Sequence, residues 1–234
     1  PPQDGNIMIH VIGAGGSGSG STSISQVESG AAGGYCRKNS LAVTTSGSFT
    51  VVVGAGGASV IGAAVAGTAG GTTSVAGTGL ALTLTATGGA GGALSNNAFT
   101  TGGVGSNGDV NTNGGRGGAL KGGGAVGLTG TGNDGIAGTE ERRSLGADCD
   151  ILGDFYSSSL GQISGGAGGT LYFSRFVLEA GELAGAGGNP YNNFPMAAGH
   201  ASIGGGGGWT QASDIADVVT GRGGEGCVVI QYIP

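Results

Sequence analysis

Of 234 residues, 60 are glycine and only 5 are proline, the charged fraction is 9%, and the formal net charge is −6 with 8 Lys and Arg. Collagen needs far more proline, a charged disordered tail needs more Lys and Glu, and a helical domain does not carry this much glycine. The acidic balance argues against a nucleic-acid partner. No apolar run reaches the roughly 18 residues of a membrane span, so the chain is not expected to be membrane-embedded.

The first residues, Pro1-Pro2-Gln3-Asp4-Gly5-Asn6, lack a basic stretch followed by an apolar one, so no secretory signal is expected. No Met precedes Pro1, and the expectation is one domain over 1–234 that forms the C-terminal part of a longer protein. Cys36, Cys149 and Cys227 are odd in number and form no CxxC pair. They read as free thilols of a protein made in a reducing cytosol.

Bulky apolar residues gather in short, strand-like runs. Ile7–Ile12 opens the chain, and Leu41–Val43 leads into Phe49–Val53. Leu80–Thr85 alternates strictly, Leu171–Phe173 runs on to Phe176–Leu178, and Cys227–Ile233 closes the chain. The first, second and last are apolar on both faces and are expected inside a sheet or sandwich. No run has the 3.6-residue period of a long amphipathic helix.

Glycine clusters separate these strands, at 13–20, 54–57, 88–92, 102–138, 165–169, 185–188, 204–208 and 221–226. Such clusters alone would read as flexible linker, but here they are interleaved with strands. Gly102, Gly105, Gly108, Gly114 and Gly117 share a three-residue phase, and GGxGG recurs at Gly88, Gly114 and Gly165. Three residues per turn is the polyproline II repeat. Glycine in phase leaves one face of that helix bare, so backbones can approach and pair. Ordering glycine costs more entropy than ordering other residues, and a dense inter-helix hydrogen-bond array is needed to offset it. The expected fold is all-β: antiparallel, sandwich-like strands combined with a layered stack of glycine-rich polyproline II helices, with essentially no long α-helix.

Catalytic signals are thin. Ile9–Gly18 reads as a strand followed by GxGxxG, but Ser19-Gly20-Ser21-Thr22-Ser23 is a poor helix start, and the dinucleotide fingerprint needs a helix there. His10 is expected within a strand and His200 in a turn-rich loop. Asp148, Asp150 and Asp154 have roughly calcium-ligand spacing without an EF-hand's glycine and closing glutamate. No catalytic residue, metal site or cofactor is expected, and the chain is read as no enzyme. A carboxylate-pair glycosidase has no positive sign in the sequence.

Four islands break the glycine pattern, at 93–101, 139–164, 189–200 and 209–220. They hold Phe99, Phe155, Tyr156, Tyr191, Phe194 and Trp209 together with half of the 14 acidic residues. Aromatics among small polar neighbours are what binding surfaces use, although any one of them can equally plug a small core. The candidate contact residues are Phe155, Tyr156, Tyr191, Phe194 and Trp209, with Asp154, Asn192, Asn193 and His200 as polar partners.

Several blocks also occur in a fixed order. Ile9-His10-Val11-Ile12-Gly13-Ala14-Gly15-Gly16 is followed by Gly33-Gly34-Tyr35-Cys36-Arg37-Lys38 and by Phe49-Thr50-Val51-Val52-Val53-Gly54-Ala55-Gly56-Gly57. Thr85-Ala86-Thr87-Gly88-Gly89-Ala90-Gly91-Gly92 comes next, and Gly221-Arg222-Gly223-Gly224-Glu225-Gly226-Cys227-Val228-Val229-Ile230-Gln231-Tyr232 ends the series. In these blocks the chain resembles the glycine-rich domain at the ends of bacteriophage tail fibres and related tail-tip proteins. Residues 139–164 and 170–182 depart from the pattern by carrying more bulky and charged residues. The resemblance implies a virion protein, made in the host cytoplasm, whose loops on a rigid glycine-rich core attach to the host bacterium. The implied partners are a surface receptor (outer-membrane protein, pilus or polysaccharide) and other tail subunits. Both a homotrimer and a single copy on a trimeric shaft are compatible with it. Two alternatives stand beside this reading. One is a structural cap or joint, or an ice-binding glycine-helix stack; the other, weaker, is a surface polysaccharide depolymerase.

Overall fold

The computed structural model describes residues 1–21, 28–62, 64–94, 99–118, 134, 169–170, 186–187, 204–207, 210–211 and 219–233. Its elements are all strands: β1 Gly5–Ile12, β2 Gly20–Ser21, β3 Tyr35–Val43, β4 Phe49–Val52, β5 Thr73–Gly77, β6 Leu84–Ala86, β7 Gly105–Ser106, β8 Val110–Thr112, β9 Gly169–Thr170, β10 Ala186–Gly187, β11 Thr210–Gln211 and β12 Cys227–Ile233. One antiparallel sheet has the order β12-β1-β3-β8 and a second the order β4-β5-β6-β7. The sheets pack face to face, with β1 over β5 and β6, β3 over β6 and β7, and β12 over β5. The class expected from the sequence, all-β with antiparallel sheets, is the class observed.

The core between the sheets is made by Ile7, Ile9 and Val11 of β1, Cys36, Leu41 and Val43 of β3, Val75 of β5, and Leu84 and Ala86 of β6. A register shift between Ile7 and Ile9 sets two β3 residues, Asn39 and Ser40, opposite Met8. This extra residue reverses the alternation of β3. Cys36 therefore faces inward before it, and Leu41 and Val43 face inward after it. Burial pushes the Cys36 thiol up to about 11, so at neutral pH it is an inert apolar side chain.

On the face of this sheet opposite the core, beside the buried Ile12 and Tyr35, His10 is also buried. Its Nδ1 lies 2.9 Å from the Tyr35 hydroxyl and its Nε2 3.2 Å from Oε1 of Gln231. The neutral ring satisfies both contacts if Nε2–H donates to Gln231 and Nδ1 accepts from Tyr35. Burial, chiefly, lowers the His10 pKa, with Arg37 adding to the effect and the Gln231 hydrogen bond opposing it. A depressed histidine pKa contributes stability that is complete above the unfolded value of about 6.5 and is lost as pH falls below it. The unfolding temperature should therefore drop between about pH 7.5 and 5.5. A His10→Gln variant should be less stable at the upper pH and show a shallower drop, measured by thermal scans at each pH.

Two sequence expectations need correction. Of the alternating Leu80–Thr85 run only Leu84 and Thr85 are strand, because the turn after β5 contains Gly79 at φ +85° and uses residues up to Thr83. Strands β4 and β12, apolar on both faces, are sheet edges rather than interior strands, whereas β1 and β3 are interior. The phase shared by Gly102 to Gly117 breaks at Asn111 in the sequence, and the structure has a reversal there. The chain passes through β7, turns and returns through β8, so that Gly102 faces Gly114. The run Leu171–Leu178 lies outside the described residues.

Beyond the sandwich, the glycine clusters form a stack of extended segments at 13–20, 28–34, 54–57, 65–71, 87–92, 100–104, 113–118, 204–207 and 220–226. Segment 13–20 is buried along its length and sits at the centre. Its N–H groups take a different neighbour at each step and return to the same one every third residue. Gly13, Gly16 and Ser19 donate to the carbonyls of Gly34, Ala31 and Glu28. Ala14, Ser17 and Gly20 donate to Gly71, Thr68 and Val65, and Gly15 and Gly18 to Gly224 and Gly221. Its carbonyls accept from Gly57, Gly89, Gly92 and Gly207. Six neighbouring segments thus surround the central one, through hydrogen bonds of 2.8–3.2 Å.

Close approach, not unusual dihedrals, explains the glycine. A methyl group at Gly13, Gly15 or Gly16 would lie less than 3.0 Å from the backbone carbonyl of Thr87, Gly205 or Ala90. Where a side chain is present it is small and bonded. Ser17 Oγ accepts from the Thr68 N–H at 2.8 Å, and Ser19 Oγ accepts from the Glu28 N–H at 2.8 Å while donating to the Glu28 carbonyl at 3.0 Å. The central segment therefore satisfies all its N–H groups without a β-ladder.

Candidate functional site

Each sandwich strand continues into one glycine segment at the same end of the sandwich. The strand residues at this end are Ile12, Tyr35, Thr112 and Cys227 in one sheet and Val52, Thr73, Ala86 and Gly105 in the other. Segments 13–20, 54–57, 87–92 and 113–118 leave the sheets, and 28–34, 65–71, 100–104 and 220–226 return to them. Segment 204–207 runs with the leaving set, since it pairs antiparallel with 28–34 and 220–226. It follows that Ser21 and Glu28, Ala58 and Val65, Leu94 and Phe99, and Gly207 and Val219, the described ends of the connections between segments, all lie at the stack end remote from the sheets. That end, where these connections begin and finish, is the candidate site.

Several contacts tie these connections down at their bases. Val65 and Gly20 exchange backbone hydrogen bonds, Ile61 bridges to Val219, and Thr100 bridges to Gly117. Strand β11 pairs in parallel with β2, which ends the central segment. Thr100 Oγ1 donates to the Ser29 carbonyl at 3.1 Å. Arg116, the middle residue of a GGxGG block, is held by Asp134: its N–H donates to Oδ1 at 2.8 Å, and Nε and Nη2 donate to Oδ2 at 2.8 and 2.6 Å. Its guanidinium lies 4.6 Å over the exposed ring of Phe99, a cation–π arrangement. Arg116 also holds the Asp134 carboxyl below its ordinary range. Exposed Ile61, Leu94 and Phe99 add apolar surface to these connections.

The nine candidate contact residues, Asp154, Phe155, Tyr156, Tyr191, Asn192, Asn193, Phe194, His200 and Trp209, lie outside the described residues. Ile61, Leu94, Arg116 and Asp134 were missed by the sequence reading. The middle residue of GGxGG offers one signal for Arg116, since the flanking glycines are consumed by packing and only that position is free to face outward.

The chemistry available to nucleotides is absent where the sequence motif suggested it. Gly13–Gly18 is buried against other backbones and continues as an extended segment rather than a helix, which leaves no helix N-terminus for a pyrophosphate. His10 is buried within the sandwich sheet, on the other side of the stack from the connections.

These features define a class: an all-β protein in which a sandwich is prolonged by a backbone-bonded glycine stack with its connections displayed at the far end. The chain belongs to the glycine-rich domain family, whose model matches residues 1–233. A comparison with curated proteins gives no match. Among the described residues, no helix is long and apolar enough to cross a membrane.

Proposed function

We propose that this chain is the receptor-binding module of a bacteriophage tail fibre or tail tip, attaching the virion to the host bacterial surface by adhesion without chemistry. The observation that supports this reading is the convergence of the described connections on one end of the stack. We read the stacked segments as polyproline II helices, because their partners recur every three residues. A core held by backbone hydrogen bonds keeps its shape whatever side chains its connections carry. Connections anchored on such a core lose less entropy on binding than free loops do, and their variation need not disturb folding. Aromatic residues of the islands that interrupt the glycine pattern, Trp209 and Tyr191 first, are the anchors, with a surface protein, pilus or polysaccharide as the receptor.

The test is adsorption of the purified chain to a panel of bacterial strains, beside a Trp209→Ala, Tyr191→Ala double variant. Strain-selective binding by the wild type, abolished in a variant whose thermal transition is unchanged, is the expected result. Equal binding by a folded variant would refute the assignment of the anchors. Binding of the wild type to no strain would favour a structural cap.

A further inference from the structure

The two lateral edges of the sandwich differ. At one, the chain crosses directly from β7 in one sheet to β8 in the other, Val104 and Asn113 bridge at its base, and Lys38 pairs with Asp109 at 2.7 Å beside the turn. That edge is closed. The opposite edge is formed by β4 of one sheet and β12 of the other, and among the described residues no strand pairs with the outer side of either.

Register shows what this open edge exposes. Val51 lies opposite the core residue Val75, and Ile230 and Tyr232 lie opposite the core residues Ile9 and Ile7. Directly opposed residues share a sheet face, so these side chains point into the sandwich. They are nevertheless 43%, 40% and 36% exposed, and Val52 and Val53 are 51% and 53% exposed. The hydrophobic core is therefore unsealed along one side. Natural edge strands are usually blunted by charge, proline or a bulge. Neither β4 nor β12 contains a charged residue, and no Asp, Glu, Lys or Arg stands between Lys38 and Asp109.

We infer that a second copy of this chain closes this edge. An occupant must bring apolar side chains for the opening, backbone partners for two edge strands, and no charge. The same edge of a second copy meets all three conditions. Strand β4 runs toward the glycine stack and β12 runs away from it. A two-fold axis parallel to the strands lays β4 of the second copy antiparallel beside β12 of the first, and the reverse. Both sheets then continue across the interface, and Val51 and Val53 meet Ile230 and Tyr232. For chains that each carry a net charge of −6, the uncharged edge is also where like charges are not brought together. The same axis points both connection ends in one direction.

This inference rests on the sandwich alone and is tested without cells, so it stands or falls separately from the proposed adhesion. Sedimentation of the full 234-residue chain should give twice the chain mass at high concentration, with dissociation on dilution. A Val52→Lys variant, altered at an exposed edge position, should keep the wild-type circular dichroism spectrum and raise the dimer dissociation constant by at least about tenfold. In the wild type, backbone amides of residues 50–53 and 228–232 should exchange more slowly as the dimer fills, which tests the edge even if the variant does not fold. A monomer at every concentration, a trimer, a dimer untouched by Val52→Lys in a folded variant, or unchanged exchange at these amides would each overturn the inference.

Discussion

Replacing Gly16 by alanine should destabilise the protein by about 3 kcal/mol or more, the upper range for forcing an extra methyl into a packed interior. For a chain of this length that corresponds to a fall of about 6–12 °C in the unfolding midpoint. Gly16 belongs to the central segment, where its N–H donates to the Ala31 carbonyl at 2.9 Å and its own carbonyl accepts from Gly207. A Cβ there would lie less than 3.0 Å from the carbonyl of Ala90 and the N–H of Gly91. These are backbone atoms, so no rotamer change relieves the overlap. Segment 87–92 must instead move, and its Gly89 and Gly92 hydrogen bonds to Ala14 and Ser17 move with it. Ala55→Ser, at an exposed position in segment 54–57, is the control and should leave the midpoint within about 0.5 kcal/mol of wild type. A midpoint unchanged by Gly16→Ala would mean that the segments are not packed backbone to backbone.

The legible parts of this fold are those where bulk or spacing carries the signal. Ile7–Ile12 and Cys227–Ile233 are strands because consecutive β-branched residues leave few alternatives. Strands β5, β7 and β8 were missed for the opposite reason. Thr73–Gly77 has a single bulky apolar residue, Val75, and Gly105–Ser106 has none, so pairing with neighbours rather than local preference makes them strands. The Leu80–Thr85 alternation misled because Leu80 reaches the core from a turn. Apolar runs on both faces of β4 and β12 suggested interior strands, since sequence does not distinguish a buried interior strand from an unblunted edge.

Glycine spacing indicated order rather than linker, but not which segments neighbour which. That arrangement depends on antiparallel returns such as Gly13 with Gly34 and Ala14 with Gly71, whose registers leave no side-chain trace. The candidate site was legible only as composition. Aromatics fall in islands between glycine blocks, but the gathering of the described segment ends on one end of the stack is a property of topology. Arg116 and Asp134 come together across segments of chain that have no shared motif.

The central claim, that the connection end is the binding face, is tested most directly by blocking one end at a time. With Cys149 and Cys227 replaced by serine, the remaining Cys36 is buried and its raised pKa keeps it unreactive. Ile61→Cys then places one reactive thiol in the connection 58–65, and Thr45→Cys places one in the exposed turn between β3 and β4 at the opposite end of the molecule. Each is coupled to a bulky polyethylene glycol maleimide, and adsorption to a strain bound by the unmodified protein is measured. Loss of adsorption on blocking position 61, with full adsorption on blocking position 45, is the predicted result. Full adsorption with position 61 blocked and loss with position 45 blocked would place the binding face at the sheet end and contradict the account.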